Sequence, residues 1–254
     1  PMDFFQKGYD VSGWDDIKVP SNWELQGFGY PFYVGSGYGI KKNPPLIAVE
    51  NSPVGSYRRT FTIPAHWNKR QIILYFGGVA SAFYVWVNGE KVGYSQDSKT
   101  PSEFDITPYV KQGENEIAVQ VFKFSDGYYL EDQDYWRFAG IQRDVYVRSA
   151  THVRDYEVVT DLDGEYKNAD FHLFVELGKA GEGKIKGAEV EVSLLEKSGK
   201  SIYNERKRWN AADRELHFKK EVREPLLWSA EKPNLYRLLI TLRVNGKPEQ
   251  YVSQ

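Results

Sequence analysis

The sequence predicts an all-β fold, and three observations support that prediction. Helical periodicity is nearly absent, whereas short runs of β-branched and aromatic residues recur at intervals of about 8–12 residues. Turn residues separate these runs, as they do in β-sandwiches and barrels. Aromatic residues make up 15% of the chain, with 18 Tyr, 14 Phe and 7 Trp. Such rings favour strands and mostly fill sandwich cores, so their abundance alone indicates β structure and no particular ligand.

Length and composition indicate ordinary globular domains and exclude several functional classes. The 254 residues are enough for one large or two small domains. The net charge of −2, from 33 basic and 35 acidic residues, gives no reason to expect a nucleic acid or a membrane surface as partner. No run approaches the ~20 apolar residues of a membrane-spanning helix. The absence of cysteine excludes disulfides and thiolate chemistry. Residues 1–7 lack the features of a signal peptide. Because a leader could have been removed, the compartment stays open between cytoplasm and periplasm.

Six strands are predicted in the first part of the chain. They cover residues 54–63, 71–76, 81–87, 90–94, 116–122 and 144–148. The first stops at Pro64, which cannot donate a ladder hydrogen bond. The Asn88-Gly89 pair between the third and fourth strands predicts a hairpin, because a type I′ turn needs positive φ at both central positions.

The sequence pattern changes near residues 149–152, and this change divides the chain into predicted domains of residues 1–150 and 151–254. Beyond it, glycine-rich aromatic loops give way to regular alternation. Strands are predicted over residues 153–160, 170–177, 188–196, 201–209, 215–222 and 236–244, with a seventh from about Gln250 after the Asn245-Gly246 turn. Seven short strands in roughly 100 residues are typical of an immunoglobulin-like sandwich. We expect the last strand to be truncated, and the chain to be a piece of a longer protein.

The segment over residues 124–140 holds the densest set of functional groups. Four carboxylates stand among aromatic rings in a glycine-punctuated loop, namely Asp126, Glu131, Asp132 and Asp134. Two of them could form the acid and nucleophile of a glycosidase. Alternatively, they could bind a hard cation such as Ca²⁺, Mg²⁺ or Na⁺. A third interpretation is structural, with the carboxylates pairing to arginines and backbone amides of the loop.

Other motifs carry less information. The aromatic loops over residues 19–31 and 32–40 either pack on their own sandwich or dock on another domain or a sugar. The histidines are scattered singly along the chain, without metal-site spacing, and are expected to be ordinary surface or satisfied residues; they are His66, His152, His172 and His217. No phosphate-binding glycine motif precedes a helix, so nucleotide binding is unsupported.

Several motifs together resemble glycoside hydrolase family 2, and in particular its large, LacZ-type β-galactosidases. Two long and specific ones are Gly78–Ser98 and Ser125–Trp136. Shorter matches follow in family order at residues 19–23, 101–105, 113–116, 140–145 and 227–236. The resemblance covers nearly the whole chain. It implies that residues 1–150 form a jelly-roll, galactose-binding-like β-sandwich and residues 151–254 an immunoglobulin-like one.

The resemblance implies a role without catalysis for this chain. In the family, a (β/α)₈ barrel carries the two catalytic glutamates of a retaining exo-glycosidase that acts on terminal β-galactosides. The chain stops before such a barrel, so no carboxylate here is expected to be catalytic. We expect the loops over residues 30–40 and 124–136 to frame the substrate pocket of a homo-oligomeric parent enzyme. A free-standing carbohydrate-binding module and a purely structural interaction domain are the alternatives.

Two substrate-binding positions follow from the resemblance. Asp126 matches an aspartate that helps to hold the galactosyl unit through a bound sodium ion, whose other protein ligands come from the barrel. Gly35 stands where the family has a sugar-contacting asparagine, so it can offer only backbone groups. Ser36 is a weak substitute for that amide. Magnesium is a second ion implied for the full-length enzyme, and no cofactor is expected within this chain alone.

Overall fold

The computed structural model describes residues 3–35, 37, 39–48, 52–68, 70–131, 134–149, 152–178, 187–210, 213 and 215–254. The chain divides into two compact units, Pro1–Ser149 and Ala150–Gln254. Within the described ranges, regular structure is almost entirely strand, with single 3₁₀ turns at Trp23–Gln26, Ala65–Trp67 and Asp126–Tyr129. None of the helices in those ranges has the length and apolar character to cross a membrane. The predicted all-β fold class, with two β-sandwich domains, is confirmed.

The first unit is built from eleven described strands. They are β1 (Phe32–Val34), β2 (Val54–Ile63), β3 (Ile72–Phe76), β4 (Val79–Ala80), β5 (Ala82–Val87), β6 (Glu90–Gln96), β7 (Ser102–Asp105), β8 (Gly113–Phe122), β9 (Tyr135–Arg137), β10 (Gly140–Ile141) and β11 (Val145–Ser149). A four-stranded sheet in the order β2-β8-β5-β6 packs against a three-stranded sheet in the order β11-β3-β7. Two short antiparallel pairs, β1-β9 and β10-β4, lie outside these sheets.

The core of the first unit follows from alternation in its central strands. Val85 and Val87 on β5, Val121 on β8 and Leu74 on β3 are at most 1% exposed, and they belong to one cluster. The hairpin between β5 and β6 turns at Asn88-Gly89, with φ of 51° and 86°. Both values are positive, as the predicted type I′ turn requires.

An N-terminal segment covers the outer face of the four-stranded sheet. Phe4 is 1% exposed and meets Trp86 edge-on at a centroid distance of 5.5 Å, while Phe5 stacks on the same ring at 5.0 Å. The Arg58 guanidinium holds the segment by donating hydrogen bonds to the backbone oxygens of Phe4 and Gln6 at 2.5 and 2.6 Å. The outer face of this sheet is therefore partly protected from water.

The second unit has seven described strands in two sheets. They are β12 (Val153–Leu162), β13 (Asn168–Leu177), β14 (Ala188–Leu195), β15 (Ser201–Arg208), β16 (Leu216–Arg223), β17 (Arg237–Val244) and β18 (Lys247–Ser253). The sheet orders are β12-β13-β16 and β15-β14-β17-β18, the arrangement of an immunoglobulin-like sandwich. Alternation from Phe171 to the end of β13, and along the whole of β14, buries every second residue. The last strand begins at Lys247, earlier than the predicted start near Gln250, because the Asn245-Gly246 turn leads straight into pairing with β17.

Candidate functional site

Two loops that are far apart in sequence meet in the first unit through the short β1-β9 pair. Tyr33 is opposite Trp136, and Val34 is opposite Tyr135. Residues 30–40 and 124–136 are therefore joined by a backbone ladder. This ladder gives the two loops a common position on the sandwich.

Exposed rings line this junction. Tyr33 is 55% exposed and Trp136 is 53% exposed, with ring centroids 5.8 Å apart. The Tyr33 hydroxyl donates a hydrogen bond to the carboxylate of Asp134, and this bond raises the pKa of Tyr33 above its usual value. Exposed aromatic faces beside polar groups are suited to stacking on sugar rings.

Gly35 lies next to this pair of rings, immediately after β1. It is exposed, and an added Cβ atom would lie 3.3 Å from Cε1 of Tyr33 and 3.7 Å from Oδ1 of Asp134. The residue presents only its backbone at this position. Ser36 and Asp132 lie outside the described residues.

Asp126 is the first residue of the 3₁₀ turn Asp126–Tyr129 and is exposed to solvent. One of its carboxylate oxygens accepts a hydrogen bond from the backbone N–H of Gly127 at 3.0 Å. Its negative charge also contributes, after burial, to raising the pKa of Tyr94. Within the described ranges, no hydrogen bond joins Asp126 to Gly35. Gly35 therefore lies beside Asp134, whereas Asp126 lies close enough to Tyr94 for its charge to act on that phenol.

A buried arginine fixes the turn that carries Asp126. Arg137 is 5% exposed, and its guanidinium carbon lies 4.8 Å from the ring centroid of Tyr128 and 4.4 Å from that of Tyr135. It also donates a hydrogen bond to the backbone oxygen of Glu131 at 2.9 Å. Because Tyr128 is the buried member of the turn, the arginine connects the turn to β9.

The other described carboxylates of the loop have structural partners. Glu131 accepts hydrogen bonds from the backbone N–H and the hydroxyl of Ser98 at 2.8 and 2.6 Å. Asp134 is bonded to Tyr33. These contacts favour the structural interpretation for Glu131 and Asp134. Asp126 keeps an exposed carboxylate that can reach a ligand.

The aromatic loop over residues 19–31 packs in part on its own sandwich, and its docking on another domain or a sugar stays a prediction. Trp23 is 6% exposed and packs into the core of its own sandwich. Tyr30 and Leu25 point outward, with exposures of 88% and 65%. A buried ion pair between Glu24 and Lys123 lies under the loop, with Nζ 2.6 Å from Oε1.

The residues present fit a hard cation only as part of a larger site. A cation such as Na⁺ or Ca²⁺ needs several oxygen ligands, and Asp126 can supply one of them. In the part of the chain that the structure describes, no group of three acidic or histidine residues could complete the coordination. Asp126 therefore fits the role of a single ligand to an ion whose remaining ligands lie elsewhere.

One pair of side chains that the structure brings together has no sequence signal. His172 and His217 lie on neighbouring strands, with Nδ1 and Nε2 only 2.9 Å apart. Two histidines that stand singly in the sequence are therefore neighbours in space, a contact that was not predicted. They are separated by 45 residues, so only the pairing of β13 with β16 could have identified them.

The fold defines a tandem β-sandwich protein, and each half matches one part of the same family. Residues 7–150 match the family described as "Glycosyl hydrolases family 2, sugar binding domain". Residues 151–254 match "Glycosyl hydrolases family 2". The chain belongs to glycosyl hydrolase family 2.

Its relatives include bacterial β-galactosidases. The β-galactosidase of Priestia megaterium is 40% identical over 249 residues, which cover 94% of this chain and 24% of that protein. The β-galactosidase of Halalkalibacterium halodurans is 41% identical over 248 residues, covering 95% of this chain and 24% of that protein. The chain thus spans about a quarter of the length of these relatives.

Solved structures share the fold at lower identity. A β-glucuronidase from Bacteroides uniformis superimposes with a TM-score of 0.78 at 23% identity, covering 100% of this chain and 30% of that one. A glycosyl hydrolase family 2 member from Bacteroides cellulosilyticus gives 0.70 at 24% identity, covering 98% and 33%. These matches concern the fold alone.

Proposed function

We propose that this chain is the non-catalytic front portion of a retaining, exo-acting β-galactosidase that hydrolyses terminal non-reducing β-D-galactosides. The observation that carries the proposal is the β1-β9 pair, which joins the loops over residues 30–40 and 124–136 and exposes Tyr33 and Trp136 beside them. The relatives support it, because β-galactosidases match the chain at about 40% identity over a quarter of their length.

In this proposal the two loops frame one side of the substrate pocket, and the reactive glutamates belong to a (β/α)₈ barrel outside this chain. Asp126 supplies one carboxylate oxygen to a sodium ion at the sugar, and the barrel supplies the other protein ligands. Gly35 supplies backbone groups where the family has an asparagine side chain. Magnesium is a second ion of the full-length enzyme in this proposal. The parent enzyme acts as a homo-oligomer.

The direct test is to assay the 254-residue chain by itself. We expect no hydrolysis of a chromogenic β-galactoside and no saturable binding of galactose or lactose by calorimetry. Turnover by material free of contaminating enzyme would contradict the proposal. Sequencing the coding region beyond Gln254 tests it independently, because a barrel with two glutamates should follow.

A second test uses the complete coding sequence. Asp126→Ala should lower kcat/KM for a β-galactoside and weaken the response of activity to sodium. Asp161→Ala, an exposed carboxylate of the second unit, is the matched control and should leave both unchanged. Equal activities of the two variants would remove Asp126 from the site.

The second candidate function is a free-standing carbohydrate-binding module. The observation that favours it is the pair of half-exposed rings, Tyr33 and Trp136. A module of this kind should bind galactose or lactose saturably in the micromolar to millimolar range by itself. Trp136→Ala should then abolish the binding.

A further inference from the structure

The outer face of the sheet β12-β13-β16 in the second unit carries a pair of histidines that the proposed function does not use. In the antiparallel register, Phe174 is opposite His217, and His172 is opposite Lys219. Leu173 and Phe218 alternate with them and are fully buried. Because side chains on a strand alternate between faces, the two imidazoles are on the side away from the core.

The two imidazoles face one another edge to edge. Nδ1 of His172 lies 2.9 Å from Nε2 of His217, the ring planes differ by 9°, and the centroids are 5.1 Å apart. His217 also stacks on Phe174 at a centroid distance of 4.4 Å. The phenyl ring thus covers one face of the His217 ring, while the Nε2 edge of that ring faces His172.

We infer that His172 and His217 form a chelating site for a divalent transition ion of tetragonal geometry, namely Cu²⁺ or Ni²⁺. Neutral imidazole is a preferred ligand of these ions. With metal–nitrogen bonds of about 2.0–2.1 Å, nitrogens 2.9 Å apart subtend an angle of about 90° at the ion. That angle joins adjacent positions of a square-planar or tetragonal ion.

Loading the site requires one tautomer change and a small rotation. In the free pair, one ring donates its N–H to the bare nitrogen of the other. For both facing nitrogens to bind the ion, that proton moves to the far nitrogen of the donor ring, so each neutral ring keeps one proton and none is released. Each ring must also turn until both lone pairs point at the ion. The outer torsion of histidine is soft, His217 is exposed and His172 is half-buried.

The charges around the pair permit a bound cation. Lys219 lies opposite His172, and its ammonium is 3.4 Å from a carboxylate oxygen of Asp170. Lys207 donates a hydrogen bond to the backbone oxygen of His217. The Asp170 carboxylate offsets the charge of Lys219, and the Glu205 carboxylate, 3.5 Å from the Lys207 ammonium, offsets that of Lys207. Water would fill the remaining coordination positions, since the described ranges contain no group of three acidic or histidine residues that could hold a metal.

The test is a Cu²⁺ titration of the 254-residue chain in a non-coordinating buffer, followed by electron paramagnetic resonance. We expect one saturable site with two nitrogen ligands. His172→Gln and His217→Gln should each raise the Kd about tenfold or more, since a two-point chelate becomes a single ligand. His66→Gln is the matched control, an exposed histidine of the first unit, and should leave the Kd unchanged.

Two results would overturn the site: unchanged Cu²⁺ affinity in either His172→Gln or His217→Gln, or a loss of affinity in His66→Gln. Nuclear magnetic resonance of the unmodified chain gives a check that needs no variant. Substoichiometric Cu²⁺ should broaden the imidazole signals of His172 and His217 before those of His66 and His152. Broadening that starts at His66 or His152 would contradict the assignment.

Discussion

Glu24 and Lys123 form an ion pair that is almost completely removed from solvent. The two charged atoms are 2.6 Å apart, and the side chains are 0% and 5% exposed. Glu24 also accepts a hydrogen bond from the backbone N–H of Ala139, and Lys123 donates one to the backbone oxygen of Tyr30. The pair thus connects the end of β8 to the loop that leads into β1, which carries the candidate site.

Removing one partner of this pair should be strongly destabilising. Lys123→Met leaves the Glu24 carboxylate buried without its counter-ion, and breaking a buried pair in this way typically costs about 3–5 kcal/mol. We expect a loss of that size in the free energy of unfolding, measured by urea denaturation.

The matched double variant separates charge from packing. Glu24→Gln combined with Lys123→Met removes both charges and keeps an oxygen that can accept from the Ala139 N–H. It should be less destabilised than Lys123→Met alone, because no uncompensated charge remains. If the double variant is the less stable of the two, the destabilisation does not come from a stranded carboxylate.

The sequence predicts the long strands of this protein well and its short ones poorly. Residues 54–63 alternate over ten positions, and β2 has the predicted bounds. The strands β1, β4, β9 and β10 are only two or three residues long, too short to show a period. They exist because distant loops pair with each other, so tertiary contacts rather than local pattern determine them.

In the candidate site, too, local motifs predict some features, whereas others depend on contacts between distant parts of the chain. Asp126 and Gly35 are predicted as site residues from the family resemblance of their local motifs, and their roles stay predictions. The position of Gly35 beside Asp134 depends on the β1-β9 pair, and the Glu24–Lys123 bridge joins residues 99 positions apart. Neither contact has a local signature in the sequence.

A buried amide should contribute substantially to the stability of the first unit. Asn115 is 1% exposed, and its side chain accepts from Asn88 and from the Lys111 N–H. It also donates to the backbone oxygens of Lys111 and Gly113. Asn115→Ala removes these four part-buried hydrogen bonds, and each group that is left without a partner and shielded from water costs about 1–3 kcal/mol. We expect a loss of at least about 2 kcal/mol in the free energy of unfolding.

Asn204→Ala is the control for this amide, because Asn204 is exposed and its side chain donates a hydrogen bond to Ser193. It should change stability by about 0.5 kcal/mol or less. Equal losses in the two asparagine variants would mean that burial of the network has no energetic effect.

A glycine on β2 permits close packing of the loop over residues 19–31. A Cβ atom at Gly55 would lie 2.4 Å from Cζ3 and 2.7 Å from Cε3 of the buried Trp23 ring. Gly55→Ala should therefore displace the ring and cost about 1–3 kcal/mol by overpacking. Near-ultraviolet circular dichroism should report the displaced tryptophan, and urea denaturation the lost stability.

Gly13→Ala is the matched substitution, since an added Cβ atom there meets nothing within 4 Å. It should leave both measurements near the values of the unmodified chain. A Gly55→Ala variant that is as stable as Gly13→Ala would show that the Trp23 ring can move at little cost.

Tyr57 should make the stability of the chain decline in alkali. Burial and then the negative charge of Glu24 raise the pKa of Tyr57 to about 12, from a value of 10.0 in the absence of such effects. A raised pKa means that the folded state favours the neutral phenol. The contribution is therefore fully present below pH 10, and it is lost as the pH rises from about 10 to about 12, because the unfolded chain releases the proton first. Tyr57→Phe lacks this proton, so its free energy of unfolding should fall less steeply over that interval.

Tyr251→Phe, at a tyrosine that is 72% exposed, should keep the slope of the unmodified chain. Parallel slopes for the unmodified chain and Tyr57→Phe between pH 9 and 11.5 would show that the phenol of Tyr57 ionises as readily in the folded state as in the unfolded one.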